Sequence, residues 1–402
     1  MNNGKNIRET YEKNGGILKM IPTFVPRPFS TPGRRLRLHP DDYFALGTSR
    51  GAIKERWFTS LVVAKNGPLA AKDEGLSYVS CGETPKERFL FKDAVEELGA
   101  PLIGKKMQEK YGTWPMFAKF FDNDVPLFHH LHLNFEAAAK IGAFGKPECY
   151  FFPRQYNNYP GKMDVSYFGF DPDCTKEEVR RRIEDFTGGD NRITELSRAF
   201  RLELGTGWYT PMGVVHAPGS LLTYEPQWNS DVNAVFENVA SGEVFGRDYL
   251  VENLPDNEKN DIDAIMDLLD WDANVDPHYK KHYFRPPVPA DQQEGVYEQK
   301  WIVYANPYVG AKELTIYPQQ KVTIKDPVAY GCVLVQGFGK LGKHHCETPG
   351  MIRFGQLTAD EFFVGAEAAA EGITIENDST CEPLVLLKHF GPNCPGMPQT
   401  AK

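Results

Sequence analysis

Glycine and proline interrupt this chain so often that long helices have little room to form. There are 36 Gly and 30 Pro among 402 residues, and they recur at short intervals along the sequence. Both residues weaken helix interiors, and their clusters mark turns. This pattern favours many short strands joined by turns over a helical bundle. A chain of this length corresponds to two or three domains.

Apolar runs bounded by turn residues predict strands along the whole chain. Helical spacing of apolar residues is confined to a few segments, the clearest of which starts at Thr175 with acidic residues in its first turn. The predicted strands are 59–64, 148–152, 165–170, 220–225, 301–305, 312–317, 331–336 and 383–389. The predicted helices are 91–98, 175–186, 193–202 and 257–271.

A proline-rich stretch is the best candidate for a domain linker. Residues 284–290 hold three prolines and show no periodicity, as is typical of linkers. The chain that follows is rich in strand patterns and poor in helix patterns. We therefore predict one domain over residues 20–285 and a C-terminal β-domain over residues 291–395.

The charge balance argues against nucleic acid as the main partner. The chain has 54 acidic and 45 basic residues, whereas binding to phosphate backbones needs a basic face. No apolar run is long enough to span a membrane, and the polar first 16 residues lack a secretory segment. The seven cysteines include no CxxC pair, which disfavours a disulfide framework. These features predict a soluble, cytoplasmic protein.

A pair of histidines forms the most informative motif for chemistry. His130 and His132 project to the same face of a strand, because side chains alternate with a period of two. Two such imidazoles can share a divalent metal, Glu148 can add a carboxylate, and His216 can add a third imidazole. This set leaves room for water or substrate on the metal. By itself, a pair of this spacing is also compatible with packing or surface histidines.

The residues around this motif resemble the cupin-type, class I-like mannose-6-phosphate isomerases in several ordered segments. His130 stands where the family has the glutamine of Q-x-H. The segments span roughly residues 50–240. They comprise R-W at 56–57 with N-G-P at 66–68, H-L-H at 130–132, G-K-P-E at 145–148, Y-F-G-F at 167–170, P-M-G-V-V-H-A at 211–217, and E-P-Q at 225–227 followed by S-D at 230–231.

The resemblance implies an all-β fold with helical insertions. It predicts a metal-binding cupin barrel over residues 20–285 and a smaller, cupin-like or jelly-roll β-domain over residues 291–395. It implies His130, His132, Glu148 and His216 as metal ligands. Since imidazole is a stronger ligand than a carboxamide, metal binding is expected to survive the replacement at position 130. The expected cofactor is a divalent metal ion, with zinc first and iron, manganese, nickel or cobalt as alternatives.

Isomerising an aldose also requires a group that moves a proton between carbons. The family has an arginine shortly after the S-D pair that assists this transfer, and none stands at 234–236 in this chain. The catalytic residues expected by position are Lys146, Glu225 and Asp231. Arg154 and Arg285 are candidates to replace the missing arginine.

The resemblance therefore predicts a metal-dependent aldose–ketose isomerase that acts on a sugar or sugar phosphate. The expected partner is this small molecule, without nucleic acid or membrane, and a homo-oligomer is compatible with the sequence. Two alternatives stay open: another metal-dependent cupin enzyme, such as an oxygenase or epimerase, and a non-catalytic carbohydrate-binding cupin. The missing arginine favours both alternatives, while the complete ligand set disfavours the second.

Overall fold

Antiparallel sheets make up most of the structure, a computed structural model that describes residues 3–159 and 161–401. The predicted all-β fold with helical insertions is confirmed. The strands of the first half are β1 (Ile17–Ile21), β2 (Thr23–Arg27), β3 (Ala52–Phe58), β4 (Tyr78–Ser80), β5 (Arg88–Leu90), β6 (Met116–Phe121), β7 (His130–Leu131), β8 (Glu148–Phe151), β9 (Val165–Phe170) and β10 (Ser197–Arg201). These are followed by β11 (Gly207–Thr210), β12 (His216–Ala217), β13 (Thr223–Trp228), β14 (Ala234–Val235), β15 (Val239–Ala240), β16 (Glu243–Val244), β17 (Phe284–Arg285), β18 (Val288–Gln293) and β19 (Tyr297–Val303). The last strands are β20 (Gly310–Ile316), β21 (Lys321–Ile324), β22 (Tyr330–Gln336), β23 (Phe338–Leu341), β24 (His344–Glu347), β25 (Glu361–Val364), β26 (Ile373–Asn377) and β27 (Leu384–Phe390).

The helices are short and lie between the strands. Short 3-10 turns occur at Pro40–Asp42, Thr48–Arg50 and Ile193–Leu196. Among the described residues, no helix combines the length and the hydropathy that crossing a membrane requires. The α-helices are α1 (Asn3–Lys13), α2 (Phe91–Leu98), α3 (Ala100–Ile103), α4 (Lys105–Tyr111), α5 (Phe135–Ala139), α6 (Lys176–Glu184), α7 (Arg247–Val251), α8 (Ile262–Met266), α9 (Trp271–Asn274), α10 (Tyr279–Tyr283) and α11 (Ala366–Glu371).

Two sheets form the first barrel, which carries the candidate site. A seven-stranded sheet has the order β17-β11-β8-β13-β6-β3-β2, and a five-stranded sheet has the order β10-β9-β12-β7-β14. Helix α6 covers the outer side of the five-stranded sheet, where Val179 and Ile183 share an apolar cluster with Leu131 and Val215. Because side chains alternate along a strand, the neighbours of Leu131 and Val215 point into the barrel.

The second barrel is built from a nine-stranded sheet and a four-stranded sheet. The larger sheet has the order β18-β19-β20-β27-β22-β25-β1-β4-β5, and the smaller one has the order β21-β26-β23-β24. The proline-rich stretch 284–290 joins β17 of the first barrel to β18 of the second. The strands β1, β4 and β5 therefore also belong to the second barrel, because β1 pairs with β25 and β4 and β5 continue the same sheet.

Two of the predicted elements are wrong. Residues 193–202 do not form a helix, because a short 3-10 turn leads into β10, which pairs with β9. Residues 59–64 are not a strand: β3 ends at Phe58, and Thr59 adopts a positive φ of 56° that turns the chain out of the sheet. Of the other helices, 91–98 matches α2, 175–186 contains α6, and 257–271 contains α8. The other predicted strands overlap β8, β9, β13, β19, β20, β22 and β27.

Buried polar contacts join the two barrels. Arg56 of β3 forms a bidentate ion pair with Asp360, with N–O distances of 2.7 and 2.9 Å. His389 of β27 lies between the Thr59 hydroxyl at 2.9 Å and the Tyr224 hydroxyl at 2.8 Å. Each group is buried and partnered, so the contact between the barrels is specified by geometry as well as by apolar area.

Candidate functional site

Three buried histidines converge inside the first barrel. His130 lies on β7 and pairs directly with His216 on β12, while His132 follows β7 by one residue. One potential ligand atom from each ring lies within 4.8 Å of the other two. The ring centroids of His130 and His216 are 4.3 Å apart. The predicted grouping of these three residues is therefore present in the fold.

Hydrogen bonds to backbone carbonyls determine which nitrogen of each imidazole ring is unprotonated. The Nδ1 atom lies 3.0 Å from the Phe128 carbonyl in His130, 2.9 Å from the Val232 carbonyl in His132 and 2.9 Å from the Val214 carbonyl in His216. A carbonyl oxygen only accepts, so each Nδ1 must carry a proton and donate it. In the neutral rings, the Nε2 atoms then present lone pairs to the centre of the cluster.

Glu148 lies against these lone pairs. Its Oε1 is 3.1 Å from His216 Nε2, and its Oε2 is 3.0 Å from His132 Nε2. His216 Nε2 is buried and has no hydrogen-bond partner. Two acceptors at this distance repel each other unless a cation lies close to both. The Lys146 ammonium meets this need for His132, at 2.9 Å from its Nε2 and 2.7 Å from Glu148 Oε2, whereas His216 Nε2 has no such partner among the described residues. Three imidazole nitrogens and a carboxylate oxygen are a donor set suited to a divalent transition metal, so the residues present fit such an ion.

The protonation states agree with this donor set. Burial lowers the pKa of His132 to about 4, and burial together with the neighbouring imidazoles of His216 and His132 holds the pKa of His130 well below its usual value. Burial opposes ionisation of Glu148, but His132 and Lys146 outweigh it and hold the pKa of this carboxyl well below the normal range. Neutral imidazoles beside an ionised carboxylate are the forms that bind metals.

A row of alternating acidic and basic side chains, which we call the ion ladder, crosses the seven-stranded sheet beside the histidines. Successive N–O distances along it are 2.7, 3.3, 3.2, 4.0, 2.9 and 3.0 Å. The strands of this sheet place the charges side by side, for example through the direct pairing of Glu225 with Lys119. In order, its members are Glu148, Lys146, Glu225, Lys119, Glu55, Arg27 and Asp231.

The three residues expected to act in proton transfer all belong to this ladder. Lys146 lies between Glu148 and Glu225, and it also lies 2.9 Å from His132 Nε2. Burial, and then the nearby Glu148 carboxylate, raise the pKa of Glu225 to about 8. Asp231 lies at the far end, where it accepts hydrogen bonds from Arg27 and from the backbone N–H of Lys65. Lys146 and Glu225 are therefore close to the histidines, and Asp231 is farther along the same wall.

The arginine at this site is one that the sequence analysis did not single out. The Arg285 guanidinium donates its hydrogen bonds to backbone carbonyls, including that of Tyr304. Neither Arg285 nor Arg154 lines the cavity. Arg27, from the end of β2, does line it. The signal in the sequence was slight: a charged residue at the end of a short apolar run.

Other members of the site were also missed. Lys119 is the single charged residue of the otherwise apolar β6, and an isolated charge in a buried strand is a usable signal. Glu55 lies between Lys54 and Arg56 in β3, so it does not stand out in this way. Tyr150 is not among the residues that the sequence analysis singled out, yet its hydroxyl donates to Glu148 Oε1 at 2.6 Å. The period of two along β8 places Glu148 and Tyr150 on one face, so this contact was readable from the sequence.

Five members of the ion ladder form one wall of a cavity that opens to solvent: Arg27, Glu55, Lys119, Lys146 and Asp231. It holds about 700 Å³ of empty space, its open mouth included. His130, His132 and Lys146 lie among its lining residues. The cavity thus connects the histidine cluster to solvent.

Known proteins share this fold. Mannose-6-phosphate isomerase from Bacillus subtilis has a crystal structure with a TM-score of 0.60 and 17% sequence identity, covering 93% of this chain and 99% of that one. A zinc-bound mannose 6-phosphate isomerase aligns with a TM-score of 0.60 and 11% identity, covering 94% and 100% of the two chains.

Sequence similarity is confined to a part of the chain. The curated mannose-6-phosphate isomerase ManA of Bacillus subtilis (strain 168) is 31% identical over 121 residues, which are 29% of this chain and 35% of that protein. The match thus spans about a third of the relative's length. No protein-family profile matches the chain. The resemblance drawn from the sequence is confirmed by these comparisons, and the fold of this chain is that of the class I, cupin-type mannose-6-phosphate isomerases.

Proposed function

We propose that this protein is a metal-dependent aldose–ketose isomerase that acts on a sugar or sugar phosphate. The observation that carries the proposal is the contact of His216 Nε2 and His132 Nε2 with the Glu148 carboxylate, beside a cavity. The fold shared with mannose-6-phosphate isomerases supports it. The cytoplasmic location and a homo-oligomeric state remain predictions.

His130, His132, His216 and Glu148 would hold the metal ion. When bound, such an ion polarises the oxygens on C1 and C2 of a sugar. Zinc is the first candidate because this donor set suits it and because a structural relative is zinc-bound. Iron, manganese, nickel and cobalt also accept imidazole and carboxylate ligands.

The proton transfer of the proposed reaction is assigned to residues of the ion ladder. Isomerisation removes a proton from one carbon and returns it to the neighbouring one. Glu225, which lies 3.3 Å from Lys146, is placed to carry that proton, and the Lys146 ammonium stabilises negative charge on the adjacent oxygen. Asp231, held by Arg27, accepts a hydrogen bond from a sugar hydroxyl.

A different metal reaction is the second candidate. His130 supplies a third imidazole where the related isomerases have a glutamine, and three imidazoles with one carboxylate also suit iron or manganese. With that donor set, the same barrel could serve an oxygenase or an epimerase instead. Dependence of turnover on dioxygen distinguishes an oxygenase from the isomerase.

The decisive experiment combines metal analysis with turnover. The wild-type protein, His132→Ala and the control His129→Gln are purified, and their metal content is measured. His129 is the sequence neighbour of the cluster, but its Nδ1 faces Glu237 at 2.7 Å. The same samples are assayed for conversion of mannose and mannose 6-phosphate to the corresponding ketose, with and without a chelator.

The expected result is one metal per chain in the wild type and in His129→Gln, lost in His132→Ala, together with metal-dependent conversion. Bound metal without conversion of either compound would move the function to other metal chemistry or to sugar binding. Failure to bind zinc, iron, manganese, nickel or cobalt under loading conditions would refute the ligand assignment.

A further inference from the structure

We infer that Tyr150 is a positioning residue for the metal ion, because its hydroxyl holds the Glu148 carboxylate in the orientation that faces the histidine cluster. The inference rests on the ligand assignment made for the proposed function and adds a residue to it. The Tyr150 hydroxyl lies 2.6 Å from Glu148 Oε1. An ionised carboxylate only accepts hydrogen bonds, so the phenol is the donor in this contact.

The position of Tyr150 on its strand places it beside two of the expected ligands. Glu148 and Tyr150 are two residues apart on β8, so their side chains lie on one face of the sheet. The centroid of the Tyr150 ring lies 6.2 Å from that of His216. Tyr150 therefore donates to one expected ligand and lies next to the ring of another.

The two oxygens of Glu148 have different neighbours. Oε2 lies 2.7 Å from the Lys146 ammonium, which also lies 2.9 Å from His132 Nε2. Oε1 accepts from Tyr150 and lies 3.1 Å from His216 Nε2, which has no hydrogen-bond partner among the described residues. The Oε1 side of the carboxylate is thus the side that lacks a cation, and Tyr150 donates to the oxygen on that side.

One donor on each oxygen fixes the plane of the Glu148 carboxylate. With a donor on one oxygen alone, the carboxylate can still rotate about that contact. The donor on Oε2 is a lysine, whose four-carbon stem is flexible. The donor on Oε1 is a tyrosine, whose hydroxyl is placed by two side-chain torsion angles. Tyr150 is therefore the more rigid of the two donors.

The surroundings of the Tyr150 ring hold it in place. Its side chain is buried within an apolar cluster of the first barrel. Phe121 packs edge to face against it with centroids 5.6 Å apart, the Phe168 ring lies at 6.2 Å, and Trp208 is its direct partner on β11. Side chains packed in this way keep defined rotamers, so the position of the hydroxyl is set before a metal binds.

Packing alone does not require the hydroxyl, since a phenylalanine ring has the same shape. Tyr279 belongs to the same apolar cluster, and its buried hydroxyl has no hydrogen-bond partner among the described residues. The two tyrosines therefore share their apolar surroundings and differ in whether the hydroxyl meets a carboxylate. This difference makes Tyr279→Phe the matched control for Tyr150→Phe.

Zinc affinity tests the inference without an assay of turnover. The Kd is measured by competition with a chromophoric chelator in the wild type, Tyr150→Phe and Tyr279→Phe. We expect it to rise about 10- to 100-fold in Tyr150→Phe, the usual loss when a group that orients a ligand is removed, and to stay unchanged in Tyr279→Phe. The absorption spectrum of the cobalt-loaded protein, which reports on the ligands of the ion, should change in Tyr150→Phe alone.

A double variant tests whether Tyr150 acts through Glu148. In the Glu148→Ala background the hydroxyl has no carboxylate to hold, so adding Tyr150→Phe should change the Kd by less than about twofold. This pair is titrated at higher zinc concentrations, because one expected ligand is missing. Thermal denaturation of the metal-free proteins shows whether Tyr150→Phe folds like the wild type. If it is destabilised, the double variant decides, because a general loss of stability would weaken binding in both backgrounds.

The outcomes separate this inference from the proposed function. If the wild type binds zinc and Tyr150→Phe binds it equally well, the inference is overturned and the ligand assignment stands. Equal losses in Tyr150→Phe and Tyr279→Phe, or equal losses with and without Glu148, also overturn it. If the wild type binds none of the expected metals, both fall. A protein that loses zinc affinity as expected in Tyr150→Phe but converts neither sugar supports the inference and refutes the isomerase proposal.

Discussion

Both barrels bury ionised groups, but they differ in whether these groups have partners within the protein. In the second barrel, Asp326 binds Lys312 at 2.9 Å and also Lys388, which in turn donates to Gln299 at 3.3 Å. The two lysines additionally lie over aromatic rings, Lys388 at 4.5 Å from the centroid of Tyr330. All of these charges have partners within the protein.

The first barrel leaves some of its buried groups without a suitable partner. The bare nitrogen of His216 faces an oxygen of Glu148, and the charges beside it line an open cavity instead of a sealed core. A fully partnered buried charge specifies structure, whereas an unsatisfied one marks the position where something else must bind. The sealed cluster has partners enough for a structural role, and the open cluster is where the proposed function would take place.

Asp326→Asn should have the largest effect on folding. It leaves Lys388 buried without its carboxylate, and breaking such a pair costs about 3–5 kcal/mol of unfolding free energy. Urea denaturation followed by circular dichroism measures this, with the exposed Asp378→Asn as control. Because the cluster lies outside the cavity, the folded fraction should still bind zinc. A loss under about 1 kcal/mol would show that the sealed cluster contributes little to the stability of the fold.

Zinc should stabilise the first barrel through its unsatisfied groups. At a free concentration of about 100 times Kd, a ligand that binds only the folded state adds about 2.7 kcal/mol to the unfolding free energy. Glu148→Gln should abolish this gain, and Asp378→Asn should retain it. The measurement is thermal denaturation with and without zinc. Equal stabilisation of Glu148→Gln and wild type would remove Glu148 from the ligand set.

His389, at the contact between the barrels, should make stability depend on pH. Burial lowers its pKa to about 3, so the unfolded chain takes up the proton first as pH falls through the ordinary value of 6.5. The contribution is complete above pH 6.5 and is lost progressively toward pH 3. Between pH 7 and pH 5, the wild type should lose about 2 kcal/mol more than His389→Gln.

Urea denaturation at the two pH values measures this difference. The control is His345→Gln, which changes an exposed side chain and should leave the pH dependence of the wild type intact. Identical pH dependence in His389→Gln and wild type would mean that the buried imidazole is not the group that titrates.

Thr175→Ala should have the smallest effect. The Thr175 hydroxyl caps α6 by accepting from the backbone N–H of Glu178 at 3.2 Å, and removal of such a cap costs about 1 kcal/mol. Thr175→Ser should restore most of the stability. Zinc affinity should not change, because α6 covers the outer side of the histidine-bearing sheet. A change in affinity would show that this helix positions the cluster.

The candidate site could be predicted from the sequence where it depends on local geometry. The period of two along a strand was enough to group His130 with His132, and the same rule applied to β8 relates Lys146, Glu148 and Tyr150. His216 was a candidate for its imidazole, and the family resemblance supported it, because a motif carries order along the chain even where the spacing is long.

The rest of the site depends on register between distant strands. Arg27, Glu55 and Asp231 are brought together by pairing across the seven-stranded sheet and by the loop after β13, and no local pattern records that pairing. The helix predicted at 193–202 failed for a related reason. Phe200 and Leu202 are also compatible with strand alternation, and pairing of β10 with β9 decided between the two.

The placement of β1 has a consequence for how the chain is made. β1 pairs with the nearby β4, but its other partner, β25, is synthesised roughly 340 residues after it, counted from Ile21 to Glu361. At about 5–20 residues per second, an apolar strand edge waits roughly 20 to 70 s for its neighbour. During that interval it is a template for pairing with other chains. Cutting the protein at the proline-rich stretch would make this exposure permanent in both halves, so the intact polypeptide is the unit of folding.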